Sequence, residues 1–208
     1  MSKSLYLYPV WIRVWHTTNA ILFLILIITG ISLQFSGTEG QKVLISFKPA
    51  VSWHNTAAFL LVLNYVVYFI GNFATGNIRH YRNRSDTLFQ DLVKQFNYYR
   101  KGMFHDEPHP FPVTAESKFN PLQRFTYLLA MYAGMPILII SGSLLFFPEL
   151  LPKQIFGVSG LLINDMLHII TGFLLTIFMI VHLYTCTLGS KPTSLFKSMI
   201  NGYHHDDH

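Results

Sequence analysis

Residues 161–188, LLINDMLHIITGFLLTIFMIVHLYTCTL, place two histidines inside an apolar run that is long enough to cross a membrane. His168 and His182 are fourteen residues apart. In a helix this separates them by about 21 Å along the axis and returns the second side chain to within about 40° of the first. Both rings therefore face the same neighbours at two depths. Ionisable side chains within spans are rare and usually functional.

The rest of the chain has the composition of an integral membrane protein. It has 208 residues, 51% hydrophobic and 12% charged, and a mean hydropathy of +0.36. Four segments reach the length of about 20 apolar residues that a span needs. They are residues 14–35, 51–74, 122–147 and 161–188. We predict an all-α fold, in which residues 1–208 form one four-helix membrane bundle with a cytoplasmic loop over residues 75–121.

Positive charge is distributed unevenly over the connections. Of the 15 Lys and Arg, all but Lys42, Lys48 and Lys153 lie in the two terminal tails or in residues 75–124. The positive-inside rule then places both termini and the loop 75–121 in the cytoplasm. The net charge of +5 follows from this topology and indicates no nucleic-acid site. No small-residue cleavage site follows the first apolar stretch, so we predict no cleaved signal peptide.

Two further histidines lie at depths that match those of the last span. His16 follows an aromatic and cationic belt at the start of the first span, and His54 starts the second. Each alone could be an interfacial polar residue. Because successive spans alternate in direction, His54 shares the outer depth with His168, and His16 shares the inner depth with His182. A bare zinc or copper ion would need three or four ligands at one depth, whereas a haem supplies four itself. We therefore predict two haems b, one per histidine pair.

Three residues are predicted haem contacts, each with a simpler alternative. Arg13 lies one turn before His16 and suits a haem propionate or a lipid phosphate. Gly30, fourteen residues beyond His16, and Gly172, one turn after His168, could let a macrocycle approach the helix backbone. Glycine is also common in membrane helices.

The loop 75–121 is too long for a simple turn. The basic run 79–84, RHYRNR, suits anionic lipid head groups better than haem propionates. Residues 86–100 have the spacing of an amphipathic surface helix, with Ser85 as a candidate cap. The stretch 105–112, HDEPHPFP, could bind a metal through its histidines and carboxylates, but its prolines favour a structural surface loop.

The third span carries no histidine and begins at the sequence KFNPLQR, residues 118–124. Asn120 is a candidate N-cap, with Pro121 at the first helical position. Asn120 and Gln123 would also lie at the depth of the His16–His182 pair, where a quinone head needs hydrogen-bond partners. Small residues and a proline in this span predict close packing and a kink: Gly134, Pro136 and Gly142.

The ends of the last span give further constraints. Cys186 is the single cysteine, which excludes an internal disulfide and a thiolate cluster held by this chain alone. Any iron–sulfur chemistry therefore belongs to a partner.

Asn164 and Asp165 precede His168 by about one turn and could orient the haem, meet a partner or cap the helix. The tail, residues 191–208, is interpreted as a solvated end.

Several of these motifs together resemble a known family. They are the W-x-R-x-W-H opening, the W-H pair of the second span, N-P-L-Q at 120–123, and H-x13-H followed by Leu-Tyr. The chain resembles the di-haem cytochrome b subunits of respiratory formate dehydrogenases, nickel–iron hydrogenases and thiosulfate reductases. These subunits are cytochrome b561-like bundles. The resemblance covers nearly the whole chain. It implies the same four haem ligands, and it matches the stretch around Asn120 to a cytoplasmic quinone site.

The resemblance also implies a place in a respiratory complex. We expect a multi-pass subunit of the bacterial inner membrane that passes electrons between a periplasmic redox partner and menaquinone or ubiquinone. The partner would be an iron–sulfur, multihaem c-type, or molybdenum or hydrogenase subunit. One alternative is a stand-alone cytochrome b561-type quinone-linked oxidoreductase, such as a superoxide oxidase; another is a non-redox membrane scaffold.

Overall fold

The protein is described by a computed structural model over residues 3–36, 43–81, 87–105, 107–189 and 191–206. Helices dominate this part of the chain. The α-helices are α1 Val10–Gln34, α2 Phe47–Ala74, α3 Leu88–Arg100, α4 Pro121–Leu129, α5 Met135–Phe146, α6 Gly160–Cys186 and α7 Ser194–Asn201. The strands are β1 Lys3–Tyr6, β2 Gln154–Ile155, β3 Val158–Ser159 and β4 Tyr203–Asp206, and short 3₁₀ turns cover Asn77–His80, Gly102–His105 and Pro148–Leu150.

The four predicted spans are confirmed. Within the described residues, four helical stretches are long and apolar enough to cross a membrane. They are Val10–Gln34, Phe47–Ala74, Pro121–Phe146 and Gly160–Cys186. Each begins one to four residues before its predicted start, because the polar and aromatic residues at the membrane edge continue the helix. The all-α prediction therefore holds, and two small antiparallel sheets add to it.

The third span is interrupted where its small residues and proline predicted an irregularity. A π-helical turn, Ala130–Gly134, separates α4 from α5. Pro136 follows this turn by two residues and has no N–H to donate to the carbonyl one turn earlier. A π turn inserts one extra residue into the helix, which accommodates the missing hydrogen bond.

By internal contacts the chain divides into two compact units. The first, which we name the bundle unit, comprises residues 9–70 and 136–185; the second, the terminal unit, comprises residues 1–8, 71–135 and 186–208. Each is described separately below. The single domain over residues 1–208 stays a prediction.

The interior of the bundle unit repeats at intervals of seven residues. On α1 the side chains of Trp15, Leu22 and Thr29 are buried at this interval, with Ser32 in addition, and on α6 those of Asn164 and Thr171 are buried. An interval of seven keeps one face of a helix against its neighbours. Several of these interior residues are small or polar, while the exposed faces carry large apolar side chains. Examples of the latter are Phe59, 66% exposed, and Phe173, 64% exposed. Such faces suit lipid rather than water.

The terminal unit joins the two ends of the chain. Strand β1 pairs with β4 in antiparallel register, with Leu5 opposite His204 and Tyr6 opposite Tyr203. Gly202 precedes β4 at φ +87°, and a Cβ there would lie 2.7 Å from the ring of Tyr6. Glycine is therefore required for the chain to enter this sheet. The pairing brings residues 3–6 and 203–206 together.

The C-terminal tail contains secondary structure that the sequence did not predict. Residues 194–201 form α7 and residues 203–206 form β4, while the interpretation of residues 191–208 as a solvated end stays a prediction. Helix α7 is a second short helix beside the single surface helix that the sequence predicted. The local pattern was too short to reveal a strand whose partner lies at the opposite end of the chain. Asp207 and His208 lie outside the described residues.

The predicted surface helix is present as α3, residues 88–100. Its apolar side chains Phe89, Val93 and Phe96 are exposed, whereas Gln95 is buried. An exposed apolar face suits a helix that lies on a membrane surface, as the sequence predicted. Residues 82–86, which include most of the basic run and the candidate cap Ser85, lie outside the described residues.

The stretch that follows α3 forms a surface loop. The ring of His109 packs on that of Tyr98 at 4.5 Å between centroids, and Nδ1 of His105 lies 2.9 Å from the carbonyl oxygen of Lys101. Asp106 lies outside the described residues. Within those residues, no group of three or more His, Cys, Asp or Glu side chains could hold a metal ion.

Candidate functional site

The bundle unit brings the four span histidines together as two pairs. The ring centroids of His54 and His168 are 6.4 Å apart, with an angle of 73° between the ring planes. Those of His16 and His182 are 6.1 Å apart, at 60°. The four histidines lie on three helices, α1, α2 and α6, and form two pairs. The pairing inferred from depth is the pairing found in the structure, and ligation by these rings stays a prediction.

The spacing within each pair suits one metal atom between the two rings. An imidazole nitrogen binds a first-row metal at about 2.0 Å and lies about 1.2 Å from its ring centre, so two opposed imidazoles on one iron have centroids about 6.4 Å apart. The observed 6.4 Å and 6.1 Å agree with this value. Two nitrogens complete the coordination of a metal only if a macrocycle supplies the other ligands. The residues present therefore fit haem and do not fit a bare ion.

Two buried hydroxyls contact one of the pairs. Thr29 Oγ1 lies 2.9 Å from His54 Nδ1, and Ser141 Oγ lies 3.1 Å from His168 Nδ1. Each hydroxyl also donates to the carbonyl oxygen four residues earlier in its own helix, at 2.7 Å in both cases. An imidazole that binds a metal through Nε2 keeps its proton on Nδ1, and in that tautomer the hydroxyl oxygen accepts the Nδ1–H. The two hydroxyls are therefore placed to hold these rings in the form that a metal requires.

Aromatic rings surround the other pair. Phe178 lies one turn before His182 and stacks on it, with centroids 6.0 Å apart and planes within 16°. Trp15 meets the ring of His16 edge-on at 6.3 Å and stacks on Tyr68 at 4.3 Å. These rings hold the two imidazoles by packing. The two histidine pairs therefore have different surroundings, hydroxyl groups at one and aromatic rings at the other.

Glycines lie close to the rings of the His54–His168 pair. A Cβ on Gly142 would come within 3.0 Å of Cε1 and 3.4 Å of Nδ1 of His168. A Cβ on Gly30 would lie 3.6 Å from Cε1 of His54, which is an ordinary contact. Gly172 instead faces a leucine of α5 at 3.7 Å. The haem contacts of Gly30 and Gly172 stay predictions.

Two more residues of the bundle unit were singled out from the sequence. Asn164 is buried, and its Nδ2 donates to the carbonyl oxygen of Ser141 at 2.9 Å, which ties α6 to α5 one turn before His168. Arg13 lies in the first turn of α1, where its backbone N–H donates to the carbonyl oxygen of Pro9. The contact of Arg13 with a haem propionate stays a prediction.

The predicted cap of the third span is confirmed in the terminal unit. The N–H of Gln123 donates to Asn120 Oδ1 at 2.9 Å, and the N–H of Asn120 donates to Gln123 Oε1 at 3.2 Å. This reciprocal pair is a capping box. Asn120 Nδ2 also donates to the hydroxyl of Tyr99 at 2.9 Å. Burial raises the pKa of Tyr99, although this hydrogen bond opposes the shift, so the phenol is neutral at physiological pH. Quinone contact by Asn120 and Gln123 stays a prediction.

The sequence reasoning missed the hydroxyl partners of the histidines. Thr29 and Ser141 are polar residues in apolar spans, which is a signal in itself. Serine and threonine in a helix, however, can satisfy their hydroxyls on their own backbone. Their contacts with His54 and His168 could not be inferred without the packing of one helix against another.

Membrane-length helices that hold paired imidazoles at metal-bridging distance define the architecture of a membrane cytochrome. The chain matches the family described as "Prokaryotic cytochrome b561" over residues 7–202. It belongs to that family, and is therefore a haem b-binding, electron-transporting cytochrome of a bacterial membrane. It is also 35% identical, over 203 residues, to a protein of Escherichia coli (strain K12) described as "Putative cytochrome YdhU"; the alignment covers 98% of this chain and 76% of the relative.

Proposed function

We propose that the protein is the di-haem membrane anchor of a respiratory oxidoreductase complex and carries electrons across the membrane between a redox partner and quinone. The observation that carries this proposal is the presence of two histidine pairs, each with ring centroids separated as one iron requires, at 6.4 Å and 6.1 Å. Two such pairs at two depths provide two redox sites, which we call the two stations. With a single site, electrons would still have to cross most of the bilayer without a carrier.

The proposed ligands are His54 and His168 for one haem iron and His16 and His182 for the other. When bound, haem b supplies reversible one-electron chemistry. The chain provides the axial nitrogens and their orientation, an apolar surrounding that excludes water, and a fixed separation between the stations. His168 and His182 lie on one helix, fourteen residues apart, so the two stations are separated by about 21 Å along the α6 axis.

The proposed topology has both termini in the cytoplasm. Two observations support it: the pairing of β1 with β4, which keeps the ends of the chain together, and the concentration of Lys and Arg in the tails and the loop 75–121. The His54–His168 pair would then serve a periplasmic partner of the iron–sulfur, multihaem c-type, or molybdenum or hydrogenase class. The single cysteine supports a separate partner, since this chain alone cannot build a thiolate cluster.

The quinone is proposed to accept hydrogen bonds from the entry of the third span. The capping box uses only the carboxamide oxygen of Gln123, so its NH₂ group can donate to a quinone carbonyl. Asn120 is buried and lies beside a neutral phenol, that of Tyr99. These groups can bind and orient a quinone head while the helix cap stays formed.

The second candidate is a stand-alone cytochrome b561-type oxidoreductase, such as a superoxide oxidase. The family description, prokaryotic cytochrome b561, fits both candidates. The two candidates differ in composition. An anchor purifies from native membranes with a redox subunit, whereas the stand-alone enzyme purifies alone and reduces quinone without one.

One experiment tests the proposal at its base. The full chain, purified in mild detergent, is assayed for haem by the pyridine haemochrome spectrum and for protein by amino-acid analysis. We expect two haems b per chain, both six-coordinate and low-spin. One haem per chain, or none, would overturn the di-haem proposal. The composition of the complex isolated from native membranes then separates the anchor from the stand-alone enzyme.

A further inference from the structure

We propose that Thr29 and Ser141 are positioning residues that orient the imidazoles of His54 and His168 and lower the reduction potential of the haem these histidines hold. This inference rests on the proposed function and goes beyond it. In the proposed function, one nitrogen of each imidazole binds the iron. The other nitrogen of each ring contacts a hydroxyl group, and this contact affects the iron.

The two contacts are independent of each other. Thr29 lies on α1 and meets His54 of α2, while Ser141 lies on α5 and meets His168 of α6, at 2.9 Å and 3.1 Å. Both hydroxyl residues are almost fully buried, Thr29 at 0% exposure and Ser141 at 1%. Water therefore does not compete for the Nδ1–H groups, and each hydrogen bond joins two different spans.

The direction of these hydrogen bonds follows from the proposed ligation. When Nε2 holds the iron, the neutral imidazole carries its proton on Nδ1, so the ring donates and the hydroxyl oxygen accepts. The hydroxyl proton is then given to the carbonyl oxygen of its own helix, at 2.7 Å. The same helix bonds restrict the hydroxyl oxygen to one position. A fixed acceptor on one side of each ring limits rotation about the Cβ–Cγ bond and contributes to the angle of 73° between the two ring planes.

The effect on the iron follows from ligand basicity. An Nδ1–H that donates a hydrogen bond shifts electron density toward Nε2, which makes the nitrogen a stronger ligand. A stronger donor stabilises the ferric state more than the ferrous state, so the reduction potential falls. Two such hydrogen bonds act on one haem, and their effects on its potential have the same sign.

A purely structural role does not explain these hydroxyls well. In an apolar helix a buried hydroxyl costs desolvation, and its bond to the backbone is neutral or unfavourable compared with alanine or valine. Two other hydroxyl groups make only a hydrogen bond to the backbone of their own helix. Thr56 and Ser143 are both exposed and bond only to their own helices, at 2.9 Å and 2.8 Å. They lie two residues from His54 and Ser141, respectively, which makes them matched controls.

The test uses the full chain in detergent with both haems loaded. Thr29→Val and Ser141→Ala each remove a hydroxyl acceptor, Thr29→Ser keeps its hydroxyl, and Thr56→Val and Ser143→Ala are the controls. His168 also has a hydrogen bond with the backbone of Leu138, so Ser141→Ala should cause the smaller of the two shifts. Optical redox titration measures the two midpoint potentials. The electron paramagnetic resonance spectrum of the oxidised protein reports the angle between axial imidazole planes. We expect Thr29→Val and Ser141→Ala each to raise one potential and to shift one low-spin signal, with the second haem unchanged.

The outcomes separate this inference from the proposed function. If wild-type protein lacks two haems, the proposed function itself fails. If it has both, and Thr29→Val and Ser141→Ala leave both potentials and both signals where they were, only the positioning role is overturned. Should Thr29→Val lose one haem, retention of that haem in Thr29→Ser supports the role and its loss in Thr29→Ser overturns it. A shift in the control variants as large as that in Thr29→Val also overturns it.

Discussion

Gly142 lies directly against the imidazole of His168: a Cβ at position 142 would come within 3.0 Å of Cε1 of that ring. This is tighter than an ordinary contact, so the ring of His168 would have to move by a few tenths of an ångström to admit a methyl group. The other glycine near this pair, Gly30, leaves 3.6 Å between an added Cβ and the ring of His54, which is ordinary van der Waals contact. Of the two glycines, only Gly142 is crowded by a histidine ring.

We expect Gly142→Ala to disturb the haem held by His54 and His168, because overpacking of a filled interior typically costs about 1–3 kcal/mol. The measurable results are a lower haem-to-protein ratio and a changed low-spin signal for one haem. Ser143→Ala changes the neighbouring, exposed residue of the same helix; it is the control and should retain both haems. If Gly142→Ala retains two haems with unchanged spectra, His168 does not occupy the position described here when haem is bound.

Replacement of the histidines tests the pairing. We expect His54→Ala and His168→Ala each to remove the same haem, and His16→Ala and His182→Ala each to remove the other, because one axial nitrogen does not hold a haem firmly. Haem content and low-temperature optical spectra identify which haem is lost. Loss of different haems from His54→Ala and His168→Ala would contradict the pairing.

Gln123→Glu separates the capping and quinone roles of that residue. Glutamate keeps an oxygen that can accept from the backbone N–H of Asn120, so the capping box should survive. The NH₂ donor is lost, and since one hydrogen bond is worth about 1 kcal/mol, the catalytic efficiency with quinone should fall by roughly five- to tenfold. Steady-state quinone reduction measures this, with haem content as the internal control. An unchanged rate would remove Gln123 from the quinone site.

Asn120→Ala should lower stability as well as activity. The substitution removes the N-cap acceptor of Gln123 N–H, at a typical cost of about 1 kcal/mol, and the hydrogen bond to Tyr99. Thermal unfolding in detergent, followed by circular dichroism, should show a lower midpoint. Asn120→Asp keeps the cap acceptor and loses only the donor to Tyr99, so its midpoint should lie between those of wild type and Asn120→Ala.

Tyr8 gives the terminal unit a dependence on high pH. Burial raises the pKa of Tyr8 to about 12, from its usual 10.0, with smaller contributions from Cys186 and Tyr81. A raised pKa means that folding favours the neutral phenol, so this contribution to stability is complete below about pH 10 and is lost between pH 10 and 12. Thermal midpoints measured from about pH 9 to pH 11 should fall, and Tyr8→Phe should reduce the slope. An equal slope in both proteins would exclude Tyr8 as the cause.

The sequence by itself determined the membrane architecture and the histidine pairs. Span number follows from apolar length, and the depth of each histidine follows from the fixed rise of a helix and the alternation of successive spans. The capping box at Asn120 was also predictable, because its two hydrogen bonds join residues three apart. All of these quantities depend on positions along the chain, which the sequence specifies directly.

Only the tertiary structure decided what surrounds each histidine. The contact of Thr29 with His54 and that of Ser141 with His168 depend on how far each helix rotates about its axis, and an apolar face that is wide and uniform does not fix that rotation from sequence. The pairing of β1 with β4 depends on two strands of four residues from opposite ends of the chain. Contacts between segments so far apart arise from packing, and no local pattern of residues encodes them.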